Sequence, residues 1–188
     1  GLVFGKTEGA GADINYGKSG SYVLGLRKKR KVTNALAIGY DVSYSRTMFN
    51  LQQNSSKIFP DTVLHKSESL FDNSFQGQLY LRFNVGKRGN HIGNFLDIGF
   101  PGDWGFEYRH FYKDNVDPAV YAGAERVHVR NRKLVYSEPF KYGFGARLGS
   151  NRYVLYMKYR ISNMINSSFN SNYPELPRLL VGLQVGLH

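Results

Sequence analysis

The chain has 188 residues, a length normally carried by one domain, and its 25 Lys and Arg against 14 Asp and Glu give a formal charge of +11. It contains no Cys, which excludes a disulfide framework, thiol redox chemistry and thiolate metal ligands. Gly (21), Tyr (14) and Phe (13) are frequent, yet no run approaches the roughly 18 to 20 apolar residues of a membrane helix, so helical membrane proteins are excluded and β-barrels are not.

Taken in chain order, the predicted elements are strands. Two weak ones open the chain at residues 2–14 and 21–27, joined over 15–20, and a short basic turn follows at 28–33. From 35 to 51, Leu36, Ile38, Tyr40, Val42 and Tyr44 alternate with Ala37, Gly39, Asp41, Ser43 and Ser45, the period-two signature of a strand with two unlike faces. A long polar join at 52–70 leads to residues 75–85, where Phe75, Leu79, Leu81 and Phe83 oppose Gln76, Gln78, Arg82 and Asn84. After a short turn at 86–91, residues 96–108 set Leu96, Ile98, Phe100, Trp104, Phe106 and Tyr108 against Asp97, Gly99, Asp103, Gly105 and Glu107. A long join at 111–124, extended by a hairpin arm around 127–136, precedes strands at 140–148 and 153–161 that are linked by a tight turn. In these, Phe140, Tyr142 and Phe144 oppose Lys141, Gly143 and Arg147, and Tyr153, Leu155 and Met157 oppose Lys158 and Arg160. A loop at 166–176 leads to the closing strand, with Leu179, Val181, Leu183 and Val185 against Arg178 and Gln184.

The expectation is an all-β chain, residues 1–188 as a single domain, folded as an eight-stranded antiparallel transmembrane β-barrel of up-and-down topology. A soluble sandwich also alternates, with its oily face inward. The polar face separates the two, because small residues mixed with opposite charges suit a narrow lumen, while a face rich in Tyr and Phe suits lipid and its interfacial girdles. Joins run short, short, long, short, long, short, long, the pattern of an outer-membrane barrel with both termini periplasmic, and only the first outer loop breaks the rule. Closure requires the last strand to pair with the first. The opening GLVFGKTEGAGAD lacks the basic start and apolar core of a signal peptide and is read as the start of a mature exported chain.

No catalytic, cofactor-binding or metal-binding residue is expected. His65, His91, His110, His128 and His188 are scattered without metal-ligand spacing. His110, with Glu107 and Arg109 near the outer end of a strand, invites comparison with barrels that hydrolyse or acylate lipid A through His and Ser. Strand parity directs Glu107 and Arg109 to the lumen and His110 to lipid, with no serine beside it, so the expectation is an interfacial histidine. The lumenal charges are expected to form a satisfied network in place of a wide pore. The glycines at 5–11 lack the Lys-Ser or Lys-Thr of a phosphate loop. The basic run at 27–31, with Lys87 and Arg88, is placed in neighbouring turns, solvated or touching anionic head groups. A single-strand nucleic-acid binder needs aromatics and bases on one face; here they lie on opposite faces, so nucleic acid is not an expected partner.

Several strings resemble the small outer-membrane barrels of Bacteroidetes, the porin-like and PorT-like β-barrel family. They are GLRKKRK with ALAIGYDVSYS, LYLRFNVGKRGN, DIGFPGDWGFEYRH, EPFKYGFGARLGSNRYVLYMKYRIS and YPELPRLLVGLQVGL. The resemblance implies export to the outer membrane and, for PorT-like members, a link to type IX secretion. The chain departs from such barrels in ending on Leu187 and His188, where an aromatic residue often closes the last strand. The expected role is a non-enzymatic structural or accessory subunit acting through its extracellular loops, without a cofactor, in contact with outer-membrane lipid and lipopolysaccharide. The alternative is an integral subunit of a larger secretion or uptake complex, in contact with other outer-membrane proteins; a lipid A-modifying enzyme is third.

Overall fold

The structure is a computed structural model that describes residues 1–5, 7, 9–85, 93–150, 152–166, 168 and 173–186. Its strands are β1 (Leu2–Phe4), β2 (Gly20–Lys31), β3 (Leu36–Leu51), β4 (Ser67–Val85), β5 (Asn94–Asn115), β6 (Arg126–Arg132), β7 (Phe140–Ser150), β8 (Tyr153–Arg160) and β9 (Leu179–Val185). All pair antiparallel, in the order β4-β3-β2-β1-β9-β8-β7-β5-β6, and β4 also pairs with β5. Eight strands therefore close into a ring, and β6 hangs outside it from the far end of β5. The expected pairing of last strand with first is made through Leu2↔Val181, Val3↔Leu180 and Phe4↔Leu179. Among the described residues no helix is long and apolar enough to cross a membrane.

β4 and β5, at 19 and 22 residues, run well beyond the predicted strands and absorb parts of the predicted joins. β5 serves two neighbours. Its first half pairs with β7 as far as Trp104↔Phe140, and Arg109 to Asn115 pair with β6, so the arm is built from the end of β5 and residues 126–132 and not from a hairpin at 127–136. The first strand is shorter than the predicted 2–14: it stops at Phe4, where Gly5 turns the chain at a φ of 100°, a conformation that favours glycine. β2 does not begin until Gly20, and the described part of the intervening join buries Ala12 and Ile14 and makes a 3-10 turn at Tyr16–Lys18, so the loop predicted to be short is long like the others at that end. The basic run at 27–31 lies in β2 and not in a turn. The turn follows at 32–35, where the Thr33 hydroxyl oxygen accepts hydrogen bonds from the amides of Ala35 and Leu36. The predicted turn at 86–91, with Lys87, Arg88 and His91, and the terminal Leu187 and His188 lie outside the described residues. Towards β1, β2 is paired at Leu2↔Gly20, and an open cleft of about 910 Å³ lies beside that pair, lined by Leu2, Phe4, Tyr22, Met48, Leu155 and Leu183.

A soluble sheet protein buries its oily face, and this ring does the reverse. Tyr22, Leu24, Leu26 and Leu183 are 77–84% exposed on the outer face, whereas Asp97, Lys141 and Arg82 are 1–4% exposed inside. Small positions make the interior possible, Gly39 as predicted and Gly149 in a stretch predicted as turn. A Cβ on Gly39 would come within 2.4 Å of the Tyr80 hydroxyl and one on Gly149 within 2.0 Å of the Phe95 ring, so two inward rings lie against bare backbone of the neighbouring strand. The one apolar cluster among the described residues sits at the loop end, where Ile14, Phe49, Leu51, Phe59, Leu70 and Leu176 pack together. Phe59 stands edge-on to Tyr136 and Tyr173, with centroids 5.3 and 5.0 Å apart, and these loops close that end of the ring.

Candidate functional site

The period of two carries charged residues inward from several strands at once. Arg82 of β4 clasps Asp97 of β5 with Nε–Oδ1 at 2.6 Å and Nη2–Oδ2 at 2.8 Å, and its guanidinium lies 3.6 Å from the centre of the Phe95 ring. Asp41 takes Arg147 at 2.7 Å and Arg27 at 3.7 Å, while Arg27 also approaches Asp97 at 3.7 Å. Three guanidiniums, of Arg27, Arg82 and Arg147, surround the Tyr80 ring at 5.4 to 5.8 Å. Further along, Lys158 meets Asp103, Lys141 donates to Asp72 at 2.7 Å and to the Tyr108 hydroxyl, and Arg160 donates to Glu175 at 2.7 Å. Cations and carboxylates are nearly balanced. Each of these cations stands against a carboxylate, while Arg27 Nε, Asp72 Oδ1 and Asp103 Oδ1 are buried without a hydrogen bond of their own.

A second polar cluster lies at the loop end, around Glu68, whose side chain is fully buried. Glu68 Oε1 is 2.6 Å from His110 Nε2, and its Oε2 accepts from Gln53 at 2.7 Å and stands 2.8 Å from the Lys57 ammonium. Lys57 also donates to Asp61 at 3.0 Å and to the Val63 carbonyl. His65 reaches Asp114 of β5 at 2.7 Å through Nδ1 and stacks on Tyr112, centroids 4.0 Å apart. Burial pushes the Glu68 carboxyl up, but the bonds from His110, Lys57 and Gln53 outweigh it and hold the group below the ordinary carboxylate range. Asp61 is likewise held low: burial raises it, and Lys57 lowers it further. Donor atoms of Asp61, His65 and Glu68 lie within 4.8 Å of one another, a spacing that would suit a cation. The Lys57 ammonium already supplies positive charge to both carboxylates.

The predicted placement of the β5 side chains is overturned by a bulge. Ser74 pairs with Gly105 but Asn73 pairs with Glu107, leaving Phe106 as an extra residue. One extra residue flips every later side chain to the other face. Tyr108 and His110 therefore point inward, onto Lys141 and Glu68, while Glu107 and Arg109 point outward, where they pair with each other. His110 is 4% exposed and no interfacial histidine. Ser67 and Ser69, which flank Glu68 on β4, alternate to the opposite face, so neither of them is presented to the His110–Glu68 pair. The cluster itself escaped the sequence reading because Glu68 falls in a stretch read as loop. The alternation of Glu68, Leu70, Asp72 and Ser74 with Ser67, Ser69, Phe71 and Asn73 was the available signal, blurred by its mixed polarity.

Comparison with known families, with characterised proteins and with solved structures finds no match to this chain. What the geometry defines is a closed antiparallel ring with an ion-paired interior, an oily exterior and one end plugged by loops.

Proposed function

We propose that this chain is a small outer-membrane β-barrel of non-enzymatic type with a filled lumen, serving as a structural or accessory subunit through its loop end. The observation that carries this reading is the reversed burial: opposite charges partnered inside a closed ring, and aromatic and aliphatic side chains turned outward on every side. In water such a surface aggregates; in lipid it is the required one. On β5 the outward apolar run from Leu96 to Phe106 covers about 33 Å of strand, which at a tilt of about 40° spans about 25 Å, the height of an outer-membrane apolar band. Tyr44, Phe75, Trp104 and Phe106 cluster at its loop-side edge, where a girdle belongs. Long connections lie at one end and short ones at the other, and the resemblance to Bacteroidetes porin-like and PorT-like barrels agrees with this reading. Membership of a larger secretion or uptake assembly is the second reading, favoured by the β5–β6 arm, which projects beyond the ring as a paired surface.

The test is heat modifiability. Closed membrane barrels keep their structure in SDS until heated, so detergent-extracted protein run unboiled is expected to migrate faster than boiled protein. A single unshifted band from protein that stays soluble without detergent would overturn the reading.

A further inference from the structure

The bulge at Phe106 does more than bury His110. It turns Arg109 outward, and the β5–β6 pairing then sets Arg109 directly opposite Arg132, Phe111 opposite Arg130, and Asn115 opposite Arg126. Directly opposed residues share a face, with Cα atoms about 5 Å apart. Lys113 falls on the same face, while the other face carries Val127 and Val129 beside Tyr112 and Asp114, against the loops. The outward face of the arm is thus a row of cations: Arg126, Arg130 and Arg132 are exposed along β6, with Arg109 and Lys113 beside them. Glu107, bonded to Arg109, is the carboxylate paired to this row among the described residues. Like charges placed opposite each other weaken a strand pair, and the single carboxylate of Glu107 offsets the row only in part.

The row also has a defined height. Arg109 comes three residues after Phe106, the last residue of the outward apolar run, so the row begins about 10 Å along the strand beyond the aromatic edge. That is where the phosphates of the surrounding leaflet lie if the ring spans a membrane. Guanidinium groups bind phosphate oxygens in pairs, and two opposed arginines bridged by one phosphate exchange repulsion for attraction. We propose that the outward face of the β5–β6 arm binds phosphate groups of lipid in the leaflet around the ring. This rests on the membrane-barrel reading and adds a ligand to it.

The experiment uses the full chain in neutral detergent, with bis-phosphorylated lipid A, fully dephosphorylated lipid A or phosphatidylcholine added and bound lipid counted by native mass spectrometry. The chain is expected to retain the phosphorylated lipid alone. The triple variant Arg109→Gln, Arg130→Gln, Arg132→Gln is expected to bind it about a hundredfold more weakly. A control with the same charge loss at the turn end, Lys28→Gln, Arg30→Gln, Lys31→Gln, is expected to bind as before. Equal retention of the dephosphorylated lipid, equal loss in both triple variants, or full displacement by excess inorganic phosphate would each overturn the proposal; the last would assign the face to a free anion.

A second readout does not depend on binding strength. Without phosphorylated lipid, Arg132→Gln is expected to raise the temperature at which the fast gel band is lost, because it relieves the repulsion from Arg109; with that lipid present it is expected to lower it. The same sign in both conditions overturns the proposal. A wild-type chain that never gives a fast band fails at the barrel reading instead, which separates the two failures.

Discussion

Arg82 and Asp97 meet across β4 and β5 inside the ring in a two-pronged ion pair, 2.6 and 2.8 Å long, with both side chains at most 4% exposed. The pair is the innermost part of a chain of contacts through Arg27, Asp41 and Arg147 that crosses β2, β3 and β7. Its position makes it costly to break from one side. Asp97→Ala leaves Arg82 buried without its carboxylate and is expected to cost about 3 to 5 kcal/mol. The double replacement Arg82→Met, Asp97→Leu removes both charges and is expected to recover most of that. The check is the temperature at which the fast gel band disappears; a double variant as unstable as Asp97→Ala would mean that the remaining network depends on Arg82 for more than this pair.

The bulge assigns opposite environments to adjacent residues. The chain has no native cysteine, so single replacements report cleanly. Arg109→Cys is expected to react with a water-soluble maleimide in the folded protein, and His110→Cys only after denaturation. Equal rates at the two positions would place the extra residue elsewhere on β5.

Glu68 is predicted to make the loop end acid-sensitive. A carboxylate held below its unfolded value contributes stability that is fully present above that value, about pH 4.3, and is lost as pH falls through the folded one. The loop at 52–66 should therefore resist protease from pH 7 to 5 and open only at a pH below the unfolded carboxylate value. Glu68→Gln, which leaves Lys57 and His110 without their shared charge, is expected to open it at neutral pH. Opening between pH 7 and 5 in the wild type would mean that a group other than Glu68 controls the loop.

Inward and outward glycines should respond oppositely to the same replacement. Gly149→Val drives a side chain into the Phe95 ring and is expected to cost about 1 to 3 kcal/mol. Gly77 faces outward with nothing within 4 Å of an added Cβ, so Gly77→Val is expected to be neutral or mildly stabilising. Comparison of the two heat-shift temperatures checks this, and similar losses would mean that Gly77 contacts something outside the ring.

Much of the architecture was readable in advance. Ile38, Tyr40, Val42 and Tyr44 against Gly39, Asp41, Ser43 and Ser45 announce a strand with two faces, and the structure pairs that strand from Leu36 to Leu51. The start of the chain was less legible, because Val3, Ala12 and Ile14 are all buried yet only the first lies in a strand. A buried irregular segment and a buried strand look alike when their partners are loops far along the sequence. The Glu68 cluster was hidden for the same reason: Gln53, Lys57, His65, His110 and Asp114 reach one another only when β4 and β5 are both built to full length.

What the sequence determined by itself is the local part: the central stretches of most strands, which residues share a face within an unbroken run, and that one face is oily and the other charged. These follow from backbone geometry, in which alternate side chains point to opposite sides. What only the tertiary structure decided is which side of β5 carries Arg109 and which carries His110, and that Lys57 comes to rest between Asp61 and Glu68. Parity propagates along a strand until one unpaired residue resets it, and whether Phe106 is unpaired depends on its register with Asn73 and Ser74, residues that meet it only when the ring closes.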